Sequence, residues 1–349
     1  MLFGKSKSQL GVDIGSSNIK IVQLRAKDNK FALETYGSVN VSYQIANKES
    51  TSSIKQTASL LQNLIERAGV TTDKVIASLP NNVVFTSVIE IPKIPDNELK
   101  NAVEFEAKKY VPLPLSEVAL SWSTIEDKKN KTVDLKSTGE MKLKVLLTAV
   151  PNMVVENYVR VFRLAGLEAL ALEIEALSLI RSVVGQDMSN NLLIDIGAKN
   201  TSINLVDSGY LRLSKNLNVG GDTVTNSIAQ SLSVNFARAE QFKKDFGLAG
   251  SSQQIPQIMR PILDIIKNEA EQLINLFESR GGRIDKIVLT GGGSKLPYLK
   301  EYLSVLGKNI ILANPWANVT YPLELKPVVE PLAMNLAVAI GLAMRRVEV

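Results

Sequence analysis

Two stretches of the chain share one pattern of apolar and polar positions. Leu10–Leu24 and Leu192–Val206 each begin with an apolar run that ends in Asp-Ile-Gly, continue with small polar residues, and finish with a second apolar run. A strand, a tight glycine turn and a second strand form a β-hairpin. The two stretches correspond at a constant offset of 182 residues, which predicts a duplicated half-molecule (Asp13 and Asp195, Gly15 and Gly197, Asn18 and Asn200, Ile21 and Ile203).

The pattern after the first hairpin predicts a mixed α/β chain. Lys30–Val41 alternates as a strand, Ile54–Ala68 repeats apolar residues on one helical face, and Lys74–Leu79 is a short buried strand. The stretch 81–171 then reads strand, helix, strand, strand, helix, strand. This β-α-β-β-α-β order is typical of a small α+β domain, here inserted in the first half.

Helical patterns dominate the second half, and we expect a bilobed α/β fold with one inserted subdomain. Helices are predicted over Glu175–Val184, Gly221–Leu232, Ala237–Phe246, Gln254–Arg280, Lys295–Leu306 and Pro331–Arg346, and a buried strand over Asp285–Thr290. The expected units are a first lobe of residues 8–80, 172–186 and 331–349, an insert of 81–171, a second lobe of 187–222 and 284–330, and a helical part of 223–283.

The composition excludes several chemistries. Among 349 residues, 45% are hydrophobic and 21% are charged, an ordinary globular balance, and a net charge of +5 is too small to indicate nucleic-acid binding. The chain has no cysteine and no histidine, which excludes disulfides, thiolate zinc sites, cysteine nucleophiles and histidine bases. Any metal would be a hard cation on oxygen ligands, such as Mg²⁺ or Ca²⁺.

No membrane-spanning segment is predicted. Leu332–Met344 is apolar but short, and Asn335 interrupts it. Met1–Lys7 lacks the apolar core of a signal peptide. We therefore expect a cytoplasmic protein.

The two hairpin turns are candidate phosphate cradles, because small residues let consecutive backbone N–H groups converge on an anion. Two facing turns could hold a phosphate chain, with Mg²⁺ between Asp13 and Asp195. Each turn alone also fits an ordinary hairpin stabilised by its aspartate. Because the pattern occurs twice, nucleotide binding is favoured. The cradle residues are Gly15, Ser16, Ser17, Asn18 and Lys20 in the first turn and Gly197, Asn200 and Thr201 in the second.

Two further segments could contact a nucleotide. The loop of Gly291, Gly292, Gly293 and Ser294 follows a buried strand, and its backbone could approach a flat ring or a phosphate closely. A tight turn alone would also explain the glycines. Glu240 and Lys243 lie three residues apart on a predicted helix and could reach a ribose or a base edge, although such a pair is commonly a solvated ion pair.

Glu175 is a weak candidate for orienting an attacking water molecule, because it begins the helix that precedes the second hairpin. Glu173 competes for this role two residues earlier. The simpler interpretation of Glu175 is a carboxylate that stabilises the first turn of its helix.

These segments, in this order, resemble the superfamily of actin, hexokinase and the heat-shock chaperone ATPases. The resemblance implies two ribonuclease-H-like lobes that bind ATP between them, with Mg²⁺ held by Asp13 and Asp195. The two phosphate loops, the two connecting helices and the adenosine loop of that superfamily resemble Leu10–Leu24, Leu192–Ser208, Glu175–Val184, Leu332–Met344 and Ile287–Leu299.

The resemblance also implies where adenosine would lie. Gly291–Ser294 would pack on it, and the helix with Glu240 and Lys243 is similar to an adenosine-contacting helix of the superfamily. Gly220 and Gly221 precede an aspartate, and this segment resembles the Gly-Gly-Asp of the same lobe.

The position of the insert narrows the resemblance to two families, FtsA and the type IV pilus assembly protein PilM. Three segments favour the PilM family: residues 2–20, Ile91–Pro114 and Glu173–Val183. FtsA proteins add a membrane-targeting helix after a linker, whereas this chain ends at Val349, just after the second predicted connecting helix.

The PilM resemblance implies a cytoplasmic ATP-binding adaptor that is peripheral at the inner membrane through its partner. That partner would be a PilN-like inner-membrane protein, whose N-terminal tail would bind between the first lobe and the insert, in the region Val83–Tyr110. Hydrolysis would be slow at most. A filament-forming protein of the FtsA or MreB kind and a small-molecule kinase of the superfamily are the alternatives.

Overall fold

The computed structural model describes residues 8–27, 30–41, 51–125, 142–249 and 254–346. Of the segments considered above, Met1–Lys7 lies outside these ranges. The expected lobes and insert also include residues outside them, at 28–29, 42–50, 126–141, 250–253 and 347–349.

The described residues form strands and helices in the predicted alternation. The strands are β1 (Ser8–Ile14), β2 (Asn18–Lys27), β3 (Lys30–Asn40), β4 (Lys74–Leu79), β5 (Phe85–Pro92), β6 (Val118–Ile125), β7 (Lys142–Pro151), β8 (Glu168–Ile174), β9 (Asn191–Ile196), β10 (Thr201–Asp207), β11 (Tyr210–Leu217), β12 (Lys286–Thr290), β13 (Asn309–Leu312) and β14 (Val319–Thr320). The helices are α1 (Thr51–Ala68), α2 (Asp96–Ala107), α3 (Asn152–Leu164), α4 (Glu175–Leu179), α5 (Gly221–Leu232), α6 (Phe236–Phe246), α7 (Gln254–Glu278), α8 (Leu299–Leu303) and α9 (Lys326–Ala343).

Two sheets repeat one topology, which confirms the predicted duplication. The first sheet has the order β14-β3-β2-β1-β4-β8 and the second has the order β11-β10-β9-β12-β13. From β3 to β8, neighbouring strands pair antiparallel, antiparallel, parallel and parallel. The second sheet repeats these four pairings in the same order. The two predicted hairpins, β1–β2 and β9–β10, therefore occupy equivalent places at the centres of the two lobes.

Helices cover both faces of the first sheet. On one face α1 and α3 bury Leu61, Tyr158 and Phe162 against the strands. On the other face α9 buries Leu336 and Ile340 against β2 and β3. Apolar residues repeat along these helices at the spacing of one face, so removing their shared surface from water stabilises the lobe.

The helices α5, α6 and α7 pack on one face of the second sheet. Ile228, Ala239 and Met259 belong to the same buried cluster as Ile194 of β9. The expected helical part therefore shares its core with the second sheet.

Two helices connect the lobes and approach each other closely. The helix α4 continues as one π-helical turn over Ile180–Val184. A Cβ added at Gly341 of α9 would overlap the backbone carbonyl of Ser178 in α4, so only glycine allows this approach. By length and composition Leu323–Ala343 could cross a membrane, but half of it is buried inside the protein and α9 packs on both the first sheet and α4.

The insert is smaller than predicted. Its antiparallel sheet has the order β5-β7-β6, with α2 packed on it through Val103 and Ala107. The last two elements assigned to the insert belong to the first lobe: α3 packs on α1, and β8 pairs in parallel with β4. The boundary expected at residue 171 therefore lies too far along the chain. The local pattern identifies a helix and a strand but does not state which sheet the strand joins.

The insert also contacts the second lobe. Its β5 lies against β11, and Ile125 and Leu146 share a buried cluster with Leu211. The insert thus rests on both lobes.

Three predicted segments differ near the end of the chain. The helix expected over Lys295–Leu306 is broken, because Pro297 and the left-handed Tyr298 separate a short 3₁₀ turn from α8. The final helix begins at Lys326 and contains Pro331, which was expected to start it. The chain returns to the first lobe before residue 331, because β14 pairs with β3 and Trp316 is buried against Val329 of α9.

A buried carboxylate ties the two connecting helices together. Glu173 binds Arg181 at 2.7 Å and Arg345 at 2.9 Å, and its own side chain is only 5% exposed. Arg181 also donates to the backbone carbonyl of Gly341 at 2.6 Å. Glu173 is therefore a structural residue at the crossing of the helices, and it is not among the residues that line the cleft described below.

We expect Glu173→Ala to lower the free energy of unfolding by about 2–3 kcal/mol, because it leaves two arginines without their shared partner. Denaturant unfolding measures this change. Glu168→Ala is the matched control, since Glu168 is exposed on the same strand, and it should change stability by less than about 0.5 kcal/mol. Equal stability of both variants would contradict the assignment.

Candidate functional site

A cleft of about 930 Å³ lies between the two lobes. Both hairpin turns line it, together with the starts of α4 and α5, one face of α6 and the glycine loop after β12. The predicted site residues that line it are Asp13, Gly15, Ser16, Ser17, Asn18, Lys20, Glu175, Asp195, Gly197, Asn200, Gly220, Gly221, Glu240, Lys243, Gly291, Gly292 and Gly293. Residues from six separate segments of the sequence thus share one crevice.

Two predicted site residues do not line the cleft. Thr201 is buried, and its hydroxyl donates to the backbone carbonyl of Val219 at 2.8 Å. Ser294 is buried as well, and its hydroxyl donates to the carbonyl of Gly291 at 2.6 Å. Both hydroxyls bind the backbone of loops that line the cleft. The sequence pattern therefore does not distinguish these two loop-stabilising residues from residues that face the cleft.

The two turns have the same backbone geometry. The N–H of Gly15 donates to the carbonyl of Asn18 at 3.0 Å, and the N–H of Gly197 donates to that of Asn200 at 2.9 Å. Each turn therefore closes over the same four-residue interval and leaves its middle residues at the cleft. The second turn is also held from outside, because Gly221 donates to the carbonyl of Gly197 at 2.9 Å.

Three carboxylates and one lysine meet at the floor of the cleft. Lys20 donates to Asp13 at 2.9 Å, and Ser78 at the end of β4 donates to the other oxygen of Asp13 at 3.0 Å. Asp195 and Glu175 lie close enough to interact electrostatically with this pair. One ammonium group thus balances up to three negative charges.

This charge imbalance changes the protonation of the site. Burial raises the pKa of Asp195 to about 6, with Lys20 opposing the change. Burial, with repulsion from Asp13 and Asp195, raises the pKa of Glu175 to about 8. Burial would lower the pKa of Lys20, but attraction to Asp13 and the other carboxylates raises it. The cleft alone therefore favours a proton on Glu175 at neutral pH, and a cation bound there would favour its ionised form.

The two aspartates could hold a magnesium ion only if a bound ligand and water molecules provided the remaining oxygen atoms of its coordination shell. Within the described ranges, no group of three or more acidic side chains is placed to hold a metal. Mg²⁺ is commonly bound by one or two carboxylates, with phosphates and water completing its shell. Because Asp13 is already bound by Lys20 and Ser78, it suits contact through water.

The three glycines of the loop after β12 have different roles. A Cβ at Gly291, whose φ is +81°, would overlap the Asp195 carboxylate, and one at Gly293 would overlap the side chain of Ile196. These two glycines permit the loop to pack on β9. A Cβ at Gly292 would meet only the Asn335 amide at 3.6 Å, an ordinary contact, so Gly292 alone leaves its backbone open to the cleft.

Glu240 and Lys243 do more than form a solvated pair. Their side chains meet at 2.6 Å, and Lys243 also donates to Thr225 at 2.8 Å and to the carbonyl of Gly221 at 3.1 Å. Thr225 in turn donates to Glu240 at 2.6 Å. The pair therefore fixes α6 to the start of α5 and forms one wall of the cleft in the second lobe.

Asn81, Tyr158 and Asn335 are among the cleft residues that the sequence patterns missed. Asn81 follows the carboxyl end of β4, Tyr158 lies on α3, and Asn335 lies on α9 opposite Gly292. Asn81 had a usable signal, because ligands bind at the carboxyl ends of parallel strands and Lys74–Leu79 was predicted as a buried strand. Tyr158 and Asn335 had none, since each comes from a helix that was expected to lie elsewhere or to serve only as a connector.

Two lobes of one repeated topology, joined by crossing helices around a cleft lined by two glycine turns, define the actin-like ATPase fold. The chain belongs to the family of the type IV pilus assembly protein PilM, whose family model matches residues 11–347. This match confirms the resemblance found in the sequence.

Related proteins agree with both the fold and the family. A solved PilM–PilN type IV pilus biogenesis complex contains a chain that is 26% identical, with a TM-score of 0.83 and coverage of 97% of this chain and 98% of that one. The cell division protein FtsA of Enterococcus hirae is 23% identical over 89% of this chain and 79% of its own. MreB 5 of Spiroplasma citri, solved bound to AMPPNP, is 14% identical, with a TM-score of 0.52 and coverage of 97% and 95%, and shares the fold.

Proposed function

We propose that this protein binds ATP in the cleft between its lobes. The observation that carries the proposal is the convergence of both hairpin turns, Gly292, Glu240 and Lys243 on one cavity of about 930 Å³. That volume lies within the range typical of small-molecule sites. The MreB 5 structure with AMPPNP supports a nucleotide as the ligand, since it shares the fold.

The cleft suggests an orientation for the nucleotide. The bare backbone of Gly292 and the pair of Glu240 and Lys243 line the same cleft in the second lobe, which suits a flat base and its ribose. The hairpin turns present backbone N–H groups, which suit phosphates. The phosphate chain would then point toward Lys20 and the two aspartates, where Mg²⁺ would join it.

Slow hydrolysis is compatible with this arrangement. Glu175 would be the carboxylate that orients water, because it lines the cleft with both aspartates whereas Glu173 is bound to two arginines. Because burial raises the pKa of Glu175 to about 8, a bound cation would increase the ionised fraction of its carboxylate at neutral pH.

We further propose that the protein is a nucleotide-dependent adaptor of type IV pilus assembly. The related PilM–PilN complex supports a PilN-like partner. We assign the N-terminal cytoplasmic tail of that partner to the region Val83–Tyr110, between the insert and the first lobe. Phe105 of α2 supports this choice, because its side chain is 65% exposed and apolar. Attachment through such a partner would place the protein in the cytoplasm at the inner membrane.

We expect Gly292→Val to weaken ATP binding at least about tenfold, because its branched side chain would occupy the space beside Asn335. Isothermal titration calorimetry measures the dissociation constant. Gly292→Ala is the graded control, since its single methyl group makes only ordinary contacts, and its loss should be smaller. Wild-type affinity in the valine variant would exclude adenosine from this position.

We expect Asp195→Asn to reduce the dependence of ATP affinity on magnesium. The ratio of affinities with Mg²⁺ and with EDTA should fall about tenfold, since the ion loses one of two carboxylates. Asp245→Asn removes the same charge from an exposed position of α6 outside the cleft and should leave the ratio unchanged. An unchanged ratio in Asp195→Asn would remove this residue from the metal site.

We expect Phe105→Ser to weaken binding of an N-terminal peptide from the cognate PilN-like protein about tenfold or more, because exposed aromatic anchors dominate such interfaces. Fluorescence anisotropy with a labelled peptide measures the affinity. Val305→Ser is the control, since Val305 is 73% exposed but lies in the second lobe. Equal peptide affinity in both variants would move the partner away from α2.

A further inference from the structure

The side chain of Asn81, a residue that lines the cleft, has an unsatisfied hydrogen-bond donor. Asn81 begins a single 3₁₀ turn, Asn81–Val83, directly after Pro80 and the carboxyl end of β4. Asn81 lines the cleft, and only 7% of the residue is exposed. The amide nitrogen Nδ2 is buried and has no hydrogen-bond partner among the described residues. A buried donor without a partner costs stability, so such groups usually meet a ligand or a water molecule.

The surroundings of Asn81 show which end of a ligand it would meet. Its backbone lies close enough to the Glu175 carboxylate to oppose the rise in the pKa of that group. Ser78, three residues earlier, donates to Asp13. Asn81 is therefore part of the polar floor in the first lobe, whereas Gly292, Glu240 and Lys243 are all in the second lobe. A nucleotide whose adenosine rests on the second lobe would reach Asn81 only with the far end of its phosphate chain.

We infer that Asn81 donates its side-chain amide to the terminal phosphate of a bound nucleoside triphosphate and so distinguishes triphosphate from diphosphate. This inference rests on the proposed nucleotide site. Nothing in the described part of the chain holds Nδ2 in its present direction, so turning it toward a phosphate oxygen breaks no hydrogen bond. A hydrogen bond to a charged oxygen is stronger than one to a neutral group, so this contact favours the longer ligand.

The chain provides a closely matched control for this residue. Asn157 on α3 also has a buried Nδ2 without a partner in the described residues, but it does not line the cleft. Asn157→Ala therefore removes an equivalent amide from the same lobe without touching the proposed ligand. Any effect that comes only from losing an unpaired buried amide should be the same in both variants.

The test is the ratio of affinities for MgATP and MgADP, measured by calorimetry on the full chain. Asn81→Ala should weaken ATP binding about tenfold and change ADP binding less than about twofold. Asn157→Ala should leave both affinities unchanged. Asn81→Asp, which keeps the shape but replaces the donor with a carboxylate, should weaken ATP binding further. Thermal unfolding without nucleotide establishes that each variant is folded, and the aspartate variant provides the measurement if the alanine variant is not.

The outcomes separate this inference from the proposed function. If the wild type binds neither nucleotide, the ATP site itself is wrong and the role of Asn81 fails with it. If the wild type binds both but the Asn81 variants lose ATP and ADP equally, or lose neither, the nucleotide site stands and the inference is overturned. A selective loss of ATP affinity in the Asn81 variants alone supports it.

Discussion

The close crossing of α4 and α9 is the constraint on which the rest of the molecule depends. The two backbones approach so closely that Gly341 accepts no side chain beside Ser178. Because α4 begins with Glu175 at the floor of the cleft and α9 carries Asn335 opposite Gly292, this crossing positions cleft residues from both helices. The buried carboxylate of Glu173 fixes the same point through one arginine on each connecting segment. The packing of α4 against α9 thus sets the shape of the site.

The electrostatics of the cleft follow from that geometry. Bringing the first-lobe and second-lobe aspartates together around one lysine gathers more negative charge than the protein neutralises. A low-dielectric site with excess carboxylate favours either protons or a bound cation. A nucleotide that arrives with a metal ion provides positive charge for the carboxylates and phosphate oxygens for the hairpin turns. The empty and filled cleft would therefore differ in protonation as well as in contacts.

Much of the fold was predictable from the sequence because the same hairpin pattern occurs in both halves of the chain. The repeated Asp-Ile-Gly pattern located both hairpins, and apolar periodicity located nearly all the helices. The errors have a common cause: local patterns identify an element but not its neighbours. The residues of β8 do not indicate that this strand pairs with β4. The residues near Trp316 do not indicate that the chain has returned to the first lobe. Pro297 is a local signal for the break before α8, but the helix was predicted to run through it.

The site was predictable to a similar extent and for similar reasons. Backbone cradles have a composition that can be recognised, so the glycine turns and their aspartates were found. Serine and threonine residues that only stabilise a loop, as at Thr201 and Ser294, cannot be distinguished in the sequence from those that face a ligand. Contributions from a distant helix, as at Tyr158, depend on packing that no short pattern encodes. Only the fold could separate Gly292 from its two neighbouring glycines.

The contact between the insert and the second lobe has a practical consequence. Ile125 and Leu146 share a buried cluster with Leu211, so the insert hides apolar surface that a trimmed protein would expose. A chain shortened to its two duplicated lobes would present that surface, and the freed edge of β11, to other molecules. Exposed apolar edges promote self-association. A minimal version of this protein that lacks the insert would therefore need new polar residues on β11 to replace this cover.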